Sequence, residues 1–119
     1  MLGNYDINWI SGDTNTLELN YVDSEETPID LTGYTVMMGL KNKPTDNVTV
    51  IPQKQAVLLD ASNGHLRFTF EPDETIGLVP MKTRVAFYYD VELTSPVGVV
   101  TTILQGRVNL QRSITNQDK

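Results

Sequence analysis

The longest pattern in the chain constrains it most. From Arg84 to Leu93 apolar and polar residues alternate, with Val85, Phe87, Tyr89, Val91 and Leu93 on one side. The short segment Thr94-Ser95-Pro96-Val97-Gly98 follows, and a second strand-like run extends from Val99 to Leu110. A period of two sends successive side chains to opposite faces of a strand, and two such runs around one Pro/Gly turn form a β-hairpin. An isolated hairpin is marginal in water, so its apolar face has to be covered. No helix of useful length is readable, which leaves other strands to cover it.

Further alternating runs supply them. Tyr5, Ile7 and Trp9 are expected on one face, with Asp6 and Asn8 on the other. Leu17, Leu19 and Tyr21 make a second series, Tyr34, Val36, Met38 and Leu40 a third, and Leu66, Phe68 and Phe70 a fourth. Val48–Ile51 and Gln55–Leu59 are shorter strand candidates. Turn chemistry separates the runs at Ser11-Gly12-Asp13, Thr27 to Gly33, Lys43 to Asn47 and Ser62-Asn63-Gly64. The last is the strongest hairpin turn, because Asn-Gly tolerates positive φ. Gly106, inside the final strand, marks a bulge or a close backbone approach. Pro72, with Asp73 and Glu74 behind it, suits the first turn of a short helix that Pro80 would stop, at the crossing between two sheets. The expected fold is all-β: a two-sheet antiparallel β-sandwich of about seven or eight strands with one short helical turn. Residues 1–112 form the domain and 113–119 a loose polar C-terminal tail.

At 119 residues the chain suits a single domain, large enough to bury roughly two-thirds of its unfolded surface. With no cysteine, disulfides, thiolate metal sites and thiol catalysis are excluded. The net charge of −6 is uneven: seven acids and no Lys or Arg fall in residues 1–40. Such a surface repels phosphate and makes nucleic acid an unexpected partner; it is either a face for a basic partner or a solvated loop, the latter being the commoner case. No run approaches the roughly 18 apolar residues of a membrane helix, and no basic-then-apolar leader opens the chain. Neither a membrane nor a secretory route is therefore expected.

The chemistry-bearing residues are sparse. His65 is the only histidine and lacks the partners a zinc site or a general base needs, so it reads as an exposed strand residue. Asp23, Glu25, Glu26 and Asp30 do not have the spacing of a calcium loop and read as an interstrand turn. Asp90 and Glu92 share a strand face, but acids on a solvent face are ordinary, and Arg84 and Arg107 are expected to pair with them across the hairpin. No nucleophile elbow, phosphate loop or dinucleotide fingerprint is present. No cofactor, no metal and no enzyme activity are expected. Trp9, Tyr5 and Tyr21 are either interface anchors or core, and alternation favours core.

Four segments together resemble a family of small immunoglobulin-like domains of tailed bacteriophages, the N-terminal domain of baseplate upper proteins. They are Gly12-Asp13-Thr14, Thr27 to Thr35, Tyr89 to Pro96, and Leu104-Gln105-Gly106-Arg107-Val108. The resemblance runs from about Tyr5 to Arg112 and implies a structural protein of the virion, assembled in the host cytoplasm. In such a particle it would be a tail, baseplate or neck adaptor linking a fibre or spike to the body. Its partners would be other virion proteins, met in several symmetric copies. Baseplate upper proteins continue into a helical, fibre-bearing region, whereas this sequence stops at Lys119, as expected of a separate adaptor subunit. A capsid decoration protein is the alternative within the class, and a carbohydrate-binding β-sandwich module the alternative outside it. The expected contact residues are Tyr5, Trp9 and Ile10 in the first strand and Asp23, Glu25, Glu26 and Asp30 in the acidic turn.

Overall fold

Alternation is translated almost directly into burial. The computed structural model describes residues 3–79 and 84–112. The strands are β1 (Gly3–Asn4), β2 (Ile7–Ser11), β3 (Asn15–Asn20), β4 (Thr35–Lys41), β5 (Lys54–Gln55), β6 (Val57–Asp60), β7 (His65–Phe70), β8 (Arg84–Thr94) and β9 (Val100–Arg112). They form two sheets. The larger has the order β1-β9-β8-β4-β5, with β2 also on β9; the smaller is β3-β7-β6. Leu17, Leu66, Phe68 and Phe70 from the small sheet meet Val36, Met38, Leu40, Phe87, Val91, Val108 and Leu110 from the large one. Each such side chain stabilises the fold by about 1.5–3 kcal/mol when fully buried. The result is the expected immunoglobulin-like sandwich, with sheet pairing antiparallel except along one edge.

That edge departs from expectation. Both β1 and β2 run parallel to β9, with Gly3 opposite Leu104 and Ile7 opposite Val108. The segment 48–51 is also not a strand; Val50 only donates its backbone N–H to the Leu40 carbonyl, at 2.8 Å. Among the described residues there are nine strands rather than seven or eight. The segment 48–51 is lost, β1 adds a strand ahead of the run that starts at Tyr5, and the 55–59 run is split at Ala56, where the chain leaves β4's sheet for β7's.

The β8–β9 hairpin has its expected extent and an irregularity of its own. Val91 lies opposite Leu104 but Glu92 lies opposite Thr102, so Ile103 is an extra residue, and it is buried. The bulge therefore lies three residues before Gly106, and Gly106 marks a close backbone approach, with Tyr5 O where a Cβ would stand. The Ser62-Asn63-Gly64 turn connects β6 and β7 as expected, through a 3-10 turn over Ala61–Asn63 that ends at Gly64 with φ 70°. A side chain there would lie 2.5 Å from the Tyr21 carbonyl, so the turn requires glycine. The helix α1 (Pro72–Thr75) starts at Pro72 as read from the sequence and is continued by a 3-10 turn, Ile76–Leu78. Glu74 Oε1 accepts the Glu71 N–H at 2.8 Å, and Lys54 Nζ reaches Glu74 Oε2 at 2.7 Å, tying the helix to β5. Pro80 and the tail 113–119 lie outside the described residues.

Candidate interaction surfaces

The N-terminal edge is built on a glycine. β1 and β2 keep one register along β9, yet between them the backbone lifts over Gly106. A Cβ on Gly106 would lie 2.1 Å from the Tyr5 carbonyl oxygen. Three hydrogen bonds hold the crossing. Tyr5 N donates to Gln105 O at 2.9 Å, Arg107 N donates to Asp6 Oδ1 at 3.0 Å, and Tyr89 Oη donates to Tyr5 O at 2.5 Å. The Asp6 side chain thus supplies the acceptor that a regular ladder would supply from backbone. Burial, with the Asp6 charge and Tyr5 behind it, pushes the Tyr89 phenol up to about 12.

The crossing also breaks the alternation expected of this strand. Ile7 and Trp9 face the core, while Tyr5 is 57% exposed and Ile10 43%. Trp9 packs on Phe70, with ring centroids 5.1 Å apart. Of the three residues expected to make contacts here, Tyr5 and Ile10 are exposed. Trp9 belongs to the core, because its ring packs on Phe70 of β7.

The acidic turn is closed on itself. Asp23 Oδ1 accepts the N–H groups of Glu25 at 2.8 Å and Thr27 at 3.0 Å. Asp23 N in turn donates to Thr27 O at 2.9 Å. Asp30 Oδ1 accepts both the Thr32 N–H, at 2.9 Å, and its hydroxyl, at 2.6 Å. These bonds from Thr32 hold the Asp30 carboxyl below the usual carboxylate range. Glu25 and Glu26 are exposed, and Glu26 has φ 63°, the only non-glycine residue with positive φ among those described. The four acids therefore divide into two turn-formers and two solvent-facing charges. No group of three or more His, Cys, Asp or Glu among the described residues could hold a metal.

His65 lies on the solvent side of β7, 3.1 Å from Glu18, which also takes Arg67 at 2.8 Å. The hydrogen bond from His65, then that from Arg67, lowers the Glu18 carboxyl. Asp90 and Glu92 do share a face, but the expected arginine pairing is absent. Asp90 lies opposite Gln105, Glu92 opposite Thr102 and Arg84 opposite Gln111. Arg107 instead covers the Tyr88 ring, at 5.3 Å from its centroid. The register puts neither arginine opposite Asp90 or Glu92, and Arg107 lies directly opposite Tyr88, whose ring it covers.

One surface went unnoticed in the sequence. At the tip of the β8–β9 hairpin, Val97 is 86%, Val99 60% and Val100 57% exposed. Three valines at a turn that ordinarily takes polar residues were the available sign.

The class of protein is thus an immunoglobulin-like sandwich with an exposed N-terminal edge, a solvated acidic turn and an apolar hairpin tip. A model of the BppU N-terminal domain matches residues 2–80, and the chain belongs to this family of phage baseplate structural domains. The match takes in β1 through α1. Two of the four motifs noted above, Tyr89 to Pro96 and Leu104 to Val108, lie beyond it. No curated protein matches the chain. Among solved structures, one of murine CRIg is similar at 11% identity and TM-score 0.42, with 91% of this chain and 92% of that chain covered. Another, from a photo-crosslinking study of cell-adhesive interactions of VGSC beta subunits, is similar at 9% identity and TM-score 0.47, with 92% of each chain covered.

Proposed function

We propose that this protein is an adaptor of the phage tail or baseplate, holding a fibre or spike to the body of the particle. The observation that carries this reading is the match to the baseplate family over residues 2–80. The surface supports it. The N-terminal edge presents Tyr5 and Ile10, the tip presents Val97, Val99 and Val100, and the turn at Asp23–Asp30 presents Glu25 and Glu26 to a basic neighbour. Exposed tyrosine and aliphatic anchors supply contact energy, while rim charges steer and select. The open side of β2 can also accept a strand from a partner. Closed rings of identical subunits are the usual way such an adaptor is repeated, so several symmetric copies are expected.

The test is a reconstruction of the purified particle combined with cross-linking. The expected result is density for this chain in symmetric copies at the tail end, with links to at least one different virion protein. Absence from the particle overturns the reading. A location on the capsid face removes the adaptor role and leaves the alternative of a decoration protein.

A further inference from the structure

The outer face of the large sheet is not flat. The loop 42–53 folds down onto it at Gly39, where a Cβ would touch Thr49 at 3.2 Å and Gln53 at 3.5 Å. On the far side the N-terminal segment rises at Asn4 and Asp6. Between these two walls lies a groove of about 610 Å³, inside the roughly 300–1,000 Å³ range of small-molecule sites. Asp90 and Gln105 lie opposite one another on its floor, with Lys41, Tyr88 and Arg107 beside them.

The chemistry of this lining is specific. Most ligand sites are chiefly apolar, whereas this one is made of carboxylate, amide, ammonium and guanidinium groups. Two acids, Asp6 and Asp90, face two cations, Lys41 and Arg107, so the groove as a whole attracts neither anions nor cations strongly. Asp90 is half-buried. Among the described residues no hydrogen bond reaches its carboxylate; only the Lys41 charge acts on it. Burial raises the Asp90 carboxyl and Lys41 lowers it in part, as expected of an acceptor short of donors. The backbone of the floor is already paired within the sheet, so an added peptide strand finds nothing to bond there.

We propose that this groove binds a neutral saccharide. Sugar hydroxyls both donate and accept. They can give a hydrogen bond to Asp90 and take one from Lys41 or Arg107, as a purely cationic or anionic ligand cannot. Gln105 and Asn4 offer amides of the same dual character. The stacked pair of Arg107 over the Tyr88 ring closes one side of the groove. The groove is open, so a single copy binds weakly, and repetition around a particle multiplies the effect.

The test is a two-dimensional NMR titration of the full chain with glucose, galactose, mannose and N-acetylglucosamine, each to about 100 mM, a range suited to millimolar affinities. A lysine-rich peptide serves as the competing probe. At least one sugar is expected to give saturable shifts confined to Lys41, Tyr88, Asp90, Gln105 and Arg107. Asp90→Ala and, separately, Gln105→Ala are each expected to weaken it by about tenfold or more, with Asp73→Ala, an exposed change in α1, unchanged. The same spectra report whether each variant is folded, and the exposed Gln105 serves if Asp90→Ala is not. No saturable shift with any of the four sugars, shifts elsewhere on the surface, or saturation by the peptide alone overturns the proposal.

Discussion

The N-terminal crossing and the acidic turn were both expected to be contact surfaces, and they are built in opposite ways. The crossing is closed by residues about a hundred positions away: Tyr89, Gln105, Gly106 and Arg107 hold Tyr5 and Asp6. The turn is closed by its own neighbours, since Asp23 and Asp30 bond groups two to four residues ahead. A surface of the first kind is as rigid as the core beneath it. One of the second kind keeps its shape through local bonds exposed to water, and its remaining acids stay available to a partner.

The largest expected effect falls on the crossing. Gly106→Val places a branched side chain where the Tyr5 carbonyl lies and should cost about 3 kcal/mol in urea unfolding. A loss below about 1 kcal/mol would mean that the N-terminal segment lifts away freely, and the contrast would fail. Tyr89→Phe removes one hydrogen bond at the same place and should cost about 1 kcal/mol.

That bond also has a pH signature. The Tyr89 phenol ionises at about 12 in the fold and near 10 when unfolded. Between these values the folded state holds the proton and the unfolded state does not. Its contribution is therefore fully present below pH 10 and lost as pH rises toward 12. Unfolding followed across that window should show the fall in the parent and lose the Tyr89 share of it in Tyr89→Phe. Equal falls in the two proteins would remove Tyr89 as the cause.

Effects in the turn are smaller and one has the opposite sign. Left-handed backbone costs a non-glycine residue about 1–2 kcal/mol, against about 0.4–1 kcal/mol of extra chain entropy for a glycine. Glu26→Gly should accordingly stabilise by about 0.5 kcal/mol. A clear loss of stability would show that the Glu26 side chain holds the turn. The smallest effect is expected at Glu25→Gln, within about 0.5 kcal/mol. If that variant nevertheless weakens cross-linking to a virion partner, the turn is a contact surface; if it does neither, its charge is merely solvated.

Several features could be read directly because they depend on near neighbours. The inward series Leu66-Phe68-Phe70 and Val85 to Leu93 follows from alternation alone, since a strand has only two faces. Gly33 and Gly64 were readable as turn glycines, and Pro72 as a helix start, because backbone preferences act over a few residues. The candidate surfaces were only half legible. Glu25 and Glu26 are exposed as their charge requires. Tyr5 and Trp9 share a pattern but not a side, and Asp90 was assigned to the wrong partners.

The amino-acid sequence by itself determined the two-faced strands, the turns between them and the family. Tertiary structure decided which strand lies beside which. The parallel run of β1 and β2 along β9 pairs Gly3 with Leu104 and Ile7 with Val108, a choice that no local pattern encodes. It also decided that Tyr5 faces out, because Gly106 has no side chain and the backbone passes through the space where one would stand. Likewise the loop 42–53 turns a plain sheet face into a groove around Asp90. The physical reason is the same in each case: alternation acts between neighbours in the chain, whereas pairing, close approach and enclosure act between segments that only the fold brings together.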